Sequence, residues 1–203
     1  WTGYGTASQA DAVYFLKLIQ PEADKKVKEY LDMIEKEIHT AEKIISDLLD
    51  FARVISVDRE PVLFAELVRH TLERYPVPGS IRATLKIPAG LPKVQADPRQ
   101  MEQVLGNLVV NACQAMAEGG KLTISASAKK DLVAIAVKDT GTGISPENMK
   151  KLFEPLFTTK AKGIGLGLAV SRKLTEANGG RIEVQSEAGA GSTFTLVLPV
   201  HGG

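Results

Sequence analysis

The chain has 203 residues, 44% hydrophobic and 24% charged, which suits one large domain or two small ones and excludes a mainly disordered protein. With 25 Lys and Arg against 24 Asp and Glu, the net charge of +1 gives no general attraction to nucleic acid or to an anionic membrane. The single cysteine, Cys113, excludes an intrachain disulfide and a cysteine-built metal cluster, no apolar run reaches the ~18 residues of a membrane-spanning helix, and Trp1 to Ala12 lacks signal-peptide features, so a reducing cytoplasm is the expected compartment.

The first elements read as helix. Ala12, Phe15, Leu16 and Ile19 lie near helical spacing, and Pro21 interrupts them. Val27, Leu31, Ile34, Ile38, Ala41, Ile45, Leu48 and Ala52 then recur at alternating intervals of four and three, a heptad seam with Glu and Lys elsewhere. So narrow a stripe usually meets another helix. Two readings stay open: a long helix packed on its own domain, or a helical hairpin that pairs with a second copy into a four-helix bundle, and the regular seam favours the second.

After Asp58 strands and helices alternate. A short strand is expected over Glu60 to Phe64, a helix over Ala65 to Tyr75 and a strand over Ile81 to Ile87. Asp97-Pro98 is a helix start, with a side-chain cap followed by proline in the first turn, and that helix should run to Ala117 and stop at Gly119-Gly120. Leu122 to Ala128 and Leu132 to Val137 read as two paired strands. A glycine-bearing stretch from Gly141 to Gly165 precedes a helix over Leu166 to Ala177. Strands over Arg181 to Ser186 and Thr193 to Leu198 close the chain. The fold class is α+β: a helical hairpin arm over residues 1–58, then a two-layer α/β sandwich over 59–203.

Chemistry concentrates in the second part. Gln103, Asn107, Asn111 and Gln114 share one face of the helix after Asp97, among Leu105, Leu108, Val109 and Ala112. An amide stripe on an apolar helix is either a solvated face or a lining for a polyphosphate and its hydrated Mg²⁺, an ion that accepts neutral oxygen ligands. Asp139-Thr-Gly141-Thr-Gly143-Ile144 follows a strand. It is either a tight turn, or a carboxylate that accepts from an exocyclic amine, with glycines that admit a flat ring. Gly163-Ile-Gly165-Leu166-Gly167-Leu168 opens a helix, where backbone N–H groups bind phosphate. Val170 stands where a dinucleotide fingerprint would place its last glycine, the preceding Phe157 to Lys162 is a loop, and no Gly-Lys-Ser/Thr follows. Neither a Rossmann nor a P-loop reading survives. Lys160 and Lys162 either pair with phosphate or are solvated. Gly189-Ala-Gly191-Ser-Thr193 alone is a hairpin turn.

Taken in order, these segments resemble the two-component sensor histidine kinases. Asn107-Leu-Val-Val-Asn111-Ala resembles their N box and Asp139-Thr-Gly-Thr-Gly143 their G1 box. Phe153-Glu-Pro-Leu-Phe-Thr-Thr-Lys160 resembles the F box, Gly163 to Leu168 the G2 box, and Gly189 to Thr193 the last glycine box. Asp47-Leu-Leu-Asp-Phe-Ala-Arg53 resembles the end of the second dimerisation helix. The resemblance implies a Bergerat-type ATP fold, shared with gyrase and MutL, and a homodimer formed through the helical arm. It also implies Mg-ATP as cofactor and a response-regulator receiver domain as partner, with no nucleic acid and no direct membrane contact. A cytoplasmic place follows, compatible with a membrane-anchored sensor.

By the same resemblance Asn111 would ligate Mg²⁺, with Asn107 and Gln114 lining that site. Asp139 would receive the adenine amino group, Gly141, Gly143 and Ile144 would back the ring, and Thr193 would lie beside it. Lys160 would face phosphate, with Gly163, Gly165, Leu166, Gly167 and Leu168 presenting the loop and helix start. Hydrolytic relatives carry Glu four residues before the metal-binding Asn, where it activates water. Asn107 here cannot act as a base, so the site should hold ATP for in-line transfer to an imidazole.

Three positions depart from the family pattern. Ile164 stands where many relatives have Thr, and Gln114 where many have Lys near the terminal phosphate. The third departure is the phosphoacceptor. The chain has three histidines, His39, His70 and His201, and none sits in a His-Glu/Asp-x-x-Asn/Thr-Pro motif. That motif would precede Val13-Tyr-Phe-Leu, at or before the first residue. A partial or altered chain, a gap near residues 8 to 12, and a degenerate kinase are the three readings, the first favoured. The functional alternative is a non-catalytic, ATP-binding dimeric regulator.

Overall fold

A computed structural model describes residues 16, 25–52, 56–160 and 163–200. The chain divides into two compact units, Trp1–Ala52 and Arg53–Gly203. In the first, α1 spans Lys25–Ala52. Of the heptad stripe, Val27, Ile34, Ile45 and Leu48 are exposed in the single chain, while Leu31 and Ile38 are half-covered. Leu16 is helical and exposed; Ala12, Phe15 and Ile19 lie outside the described residues. His39 is exposed on α1, with Nδ1 3.3 Å from Glu42 Oε2.

The second unit runs β1 (Glu60–Val62), α2 (Phe64–Arg74), β2 (Ile81–Lys86), β3 (Val94–Ala96), α3 (Pro98–Ala115), β4 (Gly120–Lys129), β5 (Leu132–Lys138), α4 (Pro146–Lys151), α5 (Gly167–Ala177), β6 (Arg181–Glu187) and β7 (Gly191–Pro199). The main sheet has the order β2-β4-β5-β7-β6, antiparallel except for the parallel edge pair β2–β4. Strand alternation gives it one buried face. Ile124, Val137, Phe194 and Val184 lie in register across four strands, and only Val184, on the edge strand, is less than fully buried. The opposite face carries small or polar groups such as Ser125, Ala136 and Thr195. Helix α3 contacts β5 and β7, and packs beside both α2 and α5. The core is this helix layer on one sheet face, filled by Phe64, Met101, Leu105, Leu108, Ile135 and Leu196. The expected two-layer α+β architecture is the observed one.

Two elements escaped the sequence reading. Strand β3 is three residues long among Pro88 and Pro92, too short for alternation to register, and it exists because β1 pairs with it antiparallel. Helix α4 lies inside the stretch read as a glycine-bearing loop. Its signal was present: Ser145 caps it, accepting from Asn148 N at 3.3 Å, and Pro146 opens its first turn. The Asp97 cap is as expected, with Oδ1 accepting from Arg99 N at 3.0 Å and Gln100 N at 3.2 Å. Tertiary structure gives Asp97 more to do. Its Oδ2 accepts from Asp58 N at 3.2 Å, and its N–H donates to Asn178 Oδ1 at 2.8 Å, which ties the start of α3 to the end of α5.

Candidate functional site

Helix α3 is the wall on which the site is assembled. Its amide stripe is not simply a solvated face. Asn107 is half-buried and donates through Nδ2 to the Gly167 carbonyl and to Ser171 Oγ, each at 3.3 Å. One turn on, Lys160 Nζ donates to Asn111 Oδ1 at 2.6 Å and to exposed Gln114 Oε1 at 2.5 Å. Two neutral amide oxygens thus converge on one cation. Gln103, at the start of the stripe, is half-buried. Lys160 is far in sequence from Gln114, so no spacing rule could have paired them.

The end of α3 meets the Asp139 loop. Thr142 N donates to Ala115 O at 3.2 Å, and Gly141 runs so close to that carbonyl that an added Cβ would stand 2.4 Å from it. Asp139 follows β5 and is buried, 2% exposed. Its Oδ1 accepts from Gly141 N at 2.8 Å and Ser192 N at 3.2 Å. Burial drives the carboxyl above its usual range, and these backbone hydrogen bonds oppose the rise without cancelling it. Gly143 has φ +65, and a Cβ there would sit 1.9 Å from Glu187 O. Gly189 N in the β6–β7 turn donates to Thr142 O at 2.7 Å, and Ile144 N donates to Ser186 Oγ at 2.9 Å. The Asp139–Ile144 loop is therefore pinned between α3 and the β6–β7 hairpin largely through backbone.

Strand β7 brings a further residue to the site. Thr193 pairs with Lys138, and alternation points it to the half-exposed face with Thr195. Ser192, one residue earlier, shares the inward face with Phe194 and is 5% exposed. Its N–H meets Asp139, and its Oγ lies 2.9 Å from Ser186 Oγ, which in turn donates to Gly191 O at 3.0 Å. Ser192 thus stands beside the carboxylate. The sequence signal existed, because Phe194 is apolar and must face the core, which fixes the parity of the strand.

The glycine-bearing segment leads into α5. Gly165 has φ +74, and a Cβ there would meet Phe157 O at 2.3 Å; its own carbonyl accepts from Leu156 N at 3.1 Å. Gly163 N donates to Lys160 O at 3.2 Å, after the F-box-like segment. Lys162 lies outside the described residues. Leu166 caps the helix through its backbone, and its side chain is core, 1% exposed, so it offers only main chain to the site. Helix α5 starts at Gly167, one residue later than expected. Gly167 and Leu168 are half-exposed at its first turn, where N–H groups lack intrahelical partners. A Cβ on Gly167 would lie 3.8 Å from the Asn107 side chain, ordinary contact, so packing does not demand glycine there.

Among known families, residues 96–202 match the histidine kinase-, DNA gyrase B-, and HSP90-like ATPases. The chain belongs to this family. Its strand order and the arrangement of α3, α5 and the Asp139 loop are thus those of a Bergerat-type ATPase domain. Among curated relatives, the sensor histidine kinase ZraS of Escherichia coli K12 is 39% identical over 172 residues, 83% of this chain and 37% of that kinase. The chain thus spans well under half of that relative's length. Among solved structures, full-length ShkA in complex with AMPPNP aligns with TM-score 0.79 and 26% identity over 94% of this chain and 42% of ShkA. Histidine kinase ThkA, solved in complex with the response regulator protein TrrA, aligns with TM-score 0.75 and 25% identity over 94% of this chain and 57% of ThkA. Among the described residues, no helix is long and apolar enough to cross a membrane.

Proposed function

We propose that this chain is the nucleotide-binding and dimerisation part of a sensor histidine kinase, which binds Mg-ATP and passes the γ-phosphate to a histidine outside its own three. The observation that carries the reading is Asn107, four residues before Asn111 and bonded to the first turn of α5. A carboxamide cannot take a proton from water, so the site lacks the general base that hydrolysis needs. In-line transfer to a delivered imidazole needs only positioning and charge neutralisation.

Asp139 accepts from the adenine amino group, and its depth in the fold keeps water from competing. Gly141, Gly143 and Ile144 hold the ring edge through main chain. Ser192 steadies Asp139 through its backbone N–H. The exposed N–H groups at the start of α5, with the loop from Gly163 to Leu168, receive phosphate oxygens. Lys160 moves from the amides to the phosphate, a stronger acceptor for its charge. Asn111 and Gln114 fit a hydrated cation, since their oxygens already share the Lys160 ammonium. Mg²⁺ held there would neutralise phosphate charge. Gln114 in place of the family's Lys is offset in space by Lys160.

The exposed stripe of α1 supports a homodimer, because a solvated row of Val27, Ile34, Ile45 and Leu48 is unfavourable in a lone helix. A receiver domain is the expected acceptor downstream. The test is incubation with labelled ATP and a separate helix that bears the acceptor motif. Label on histidine supports the kinase; ATP binding without transfer supports the alternative, a dimeric regulator. Asn107→Glu is expected to raise ATP hydrolysis, and no rise counts against the reading of position 107.

A further inference from the structure

Ser171 is the point where the two walls of the site touch. It lies in α5, four residues after Gly167, and is 0% exposed. Its Oγ donates to the Gly167 carbonyl at 2.8 Å and accepts from Asn107 Nδ2 at 3.3 Å. The same Nδ2 donates to the Gly167 carbonyl at 3.3 Å. A carboxamide has two N–H donors and one oxygen acceptor. Gly167 O can only accept, so the nitrogen must face α5. With both N–H groups drawn toward that helix, the Asn107 oxygen is the one atom its side chain can turn to a nucleotide, a water or a metal's hydration shell.

Buried hydroxyls elsewhere show what is special here. Thr71 Oγ1 donates to Leu67 O at 2.8 Å, and Thr175 Oγ1 to Ser171 O at 2.7 Å. These too are bonds to the carbonyl four residues back, the ordinary way a helix satisfies a buried hydroxyl. Ser171 does the same and also receives the amide of another helix.

We propose that Ser171 is a positioning residue for Asn107: with the Gly167 carbonyl it fixes the carboxamide nitrogen on α5 and turns its oxygen, an acceptor, toward the water or hydrated cation beside the reacting phosphate. This rests on the kinase reading of the site. It adds that transfer depends on a hydroxyl that touches neither nucleotide nor metal.

Four variants test it: Ser171→Ala, Asn107→Ala, the double variant, and Thr175→Val as the control that removes a buried hydroxyl without touching Asn107. The first readout is the Asn107 side-chain amide resonance pair in ¹⁵N-labelled protein, assigned by its loss in Asn107→Ala. Ser171→Ala is expected to shift that pair and hasten its exchange with solvent, while Thr175→Val leaves it in place. The second readout is transfer from Mg-ATP to the separate acceptor helix. Losing one shared neutral hydrogen bond is expected to slow transfer about 3- to 10-fold, with nucleotide affinity held within about twofold. In the Asn107→Ala background, Ser171→Ala is expected to slow it no further. Unmoved Asn107 resonances in Ser171→Ala, or full additivity in the double variant, overturns the proposal. If the unaltered chain transfers nothing, the kinase reading falls, and the resonances still decide whether Ser171 orients Asn107.

Discussion

The two ends of the site are built differently. At the Asp139 end, main chain does the holding: Gly141, Thr142, Ile144, Gly189 and Ser192 all contribute backbone N–H groups, and the carboxylate is buried. At the Lys160 end, side chains meet side chains, and both Lys160 and Gln114 are exposed. Backbone closure leaves no freedom to adapt, which suits recognition of one flat, rigid ring. Exposed side chains rearrange at low cost, which suits a phosphate chain that must arrive, react and leave.

Five substitutions can break or sharpen that contrast. The largest effect is expected from Gly143→Ala. Its Cβ would overlap Glu187 O at 1.9 Å with φ at +65. Stability should fall by about 3 kcal/mol or more, with nucleotide binding lost. A normal thermal melt with ordinary affinity would show that the ring end is less rigid than its geometry.

Asp139→Asn comes next and should separate binding from stability. Losing a charged hydrogen-bond acceptor should weaken nucleotide affinity about 10- to 100-fold. The free protein should be as stable as before, or more so, at neutral pH. The sign follows from the raised carboxyl: the folded state holds its proton more tightly than the unfolded chain. Stability is therefore lost as pH rises from the ordinary carboxylate range through the raised folded value. Asn removes that loss, so the variant's melting temperature should fall less than the parent's across that window. Undiminished ATP affinity in Asp139→Asn would sink the assignment of the ring end.

Lys160→Met should act oppositely in kind. Nucleotide affinity or transfer should drop about tenfold through the lost charge. The melting temperature of the free protein should stay unchanged, since the side chain is exposed. The smallest effect tests strand parity. Thr193→Ala should be near neutral, whereas Ser192→Ala, which breaks the Ser186 contact, should cost about 1 kcal/mol of stability and weaken nucleotide binding. Equal effects at the two positions would show that strand parity does not decide which side chain serves the site.

What the sequence disclosed, it disclosed through local chemistry. The heptad seam of α1, the helical amide stripe of α3, the Asp97-Pro98 start, and the paired alternation of β4 and β5 are properties of consecutive residues. So is the order of Asn107-Asn111, Asp139-Gly143 and Gly163-Leu168. Each could be read without knowing what lies opposite. Three-residue β3 was beyond reach because only its partner β1 makes it a strand. Helix α4 has only Ser145-Pro146 to announce it, within a stretch whose glycines signal loop.

The sequence by itself determined the family, the layers of the fold and most of the groups gathered at the site. Tertiary structure decided which of those groups touch. It brought Ser192 to Asp139 through the parity of β7, and supplied Lys160 as the cation beside Gln114. It also aimed the Asn107 amide by way of Ser171. These are contacts across long loops and between helices. Their geometry is set when the sheet register and helix packing close together, and no short stretch of chain contains that information.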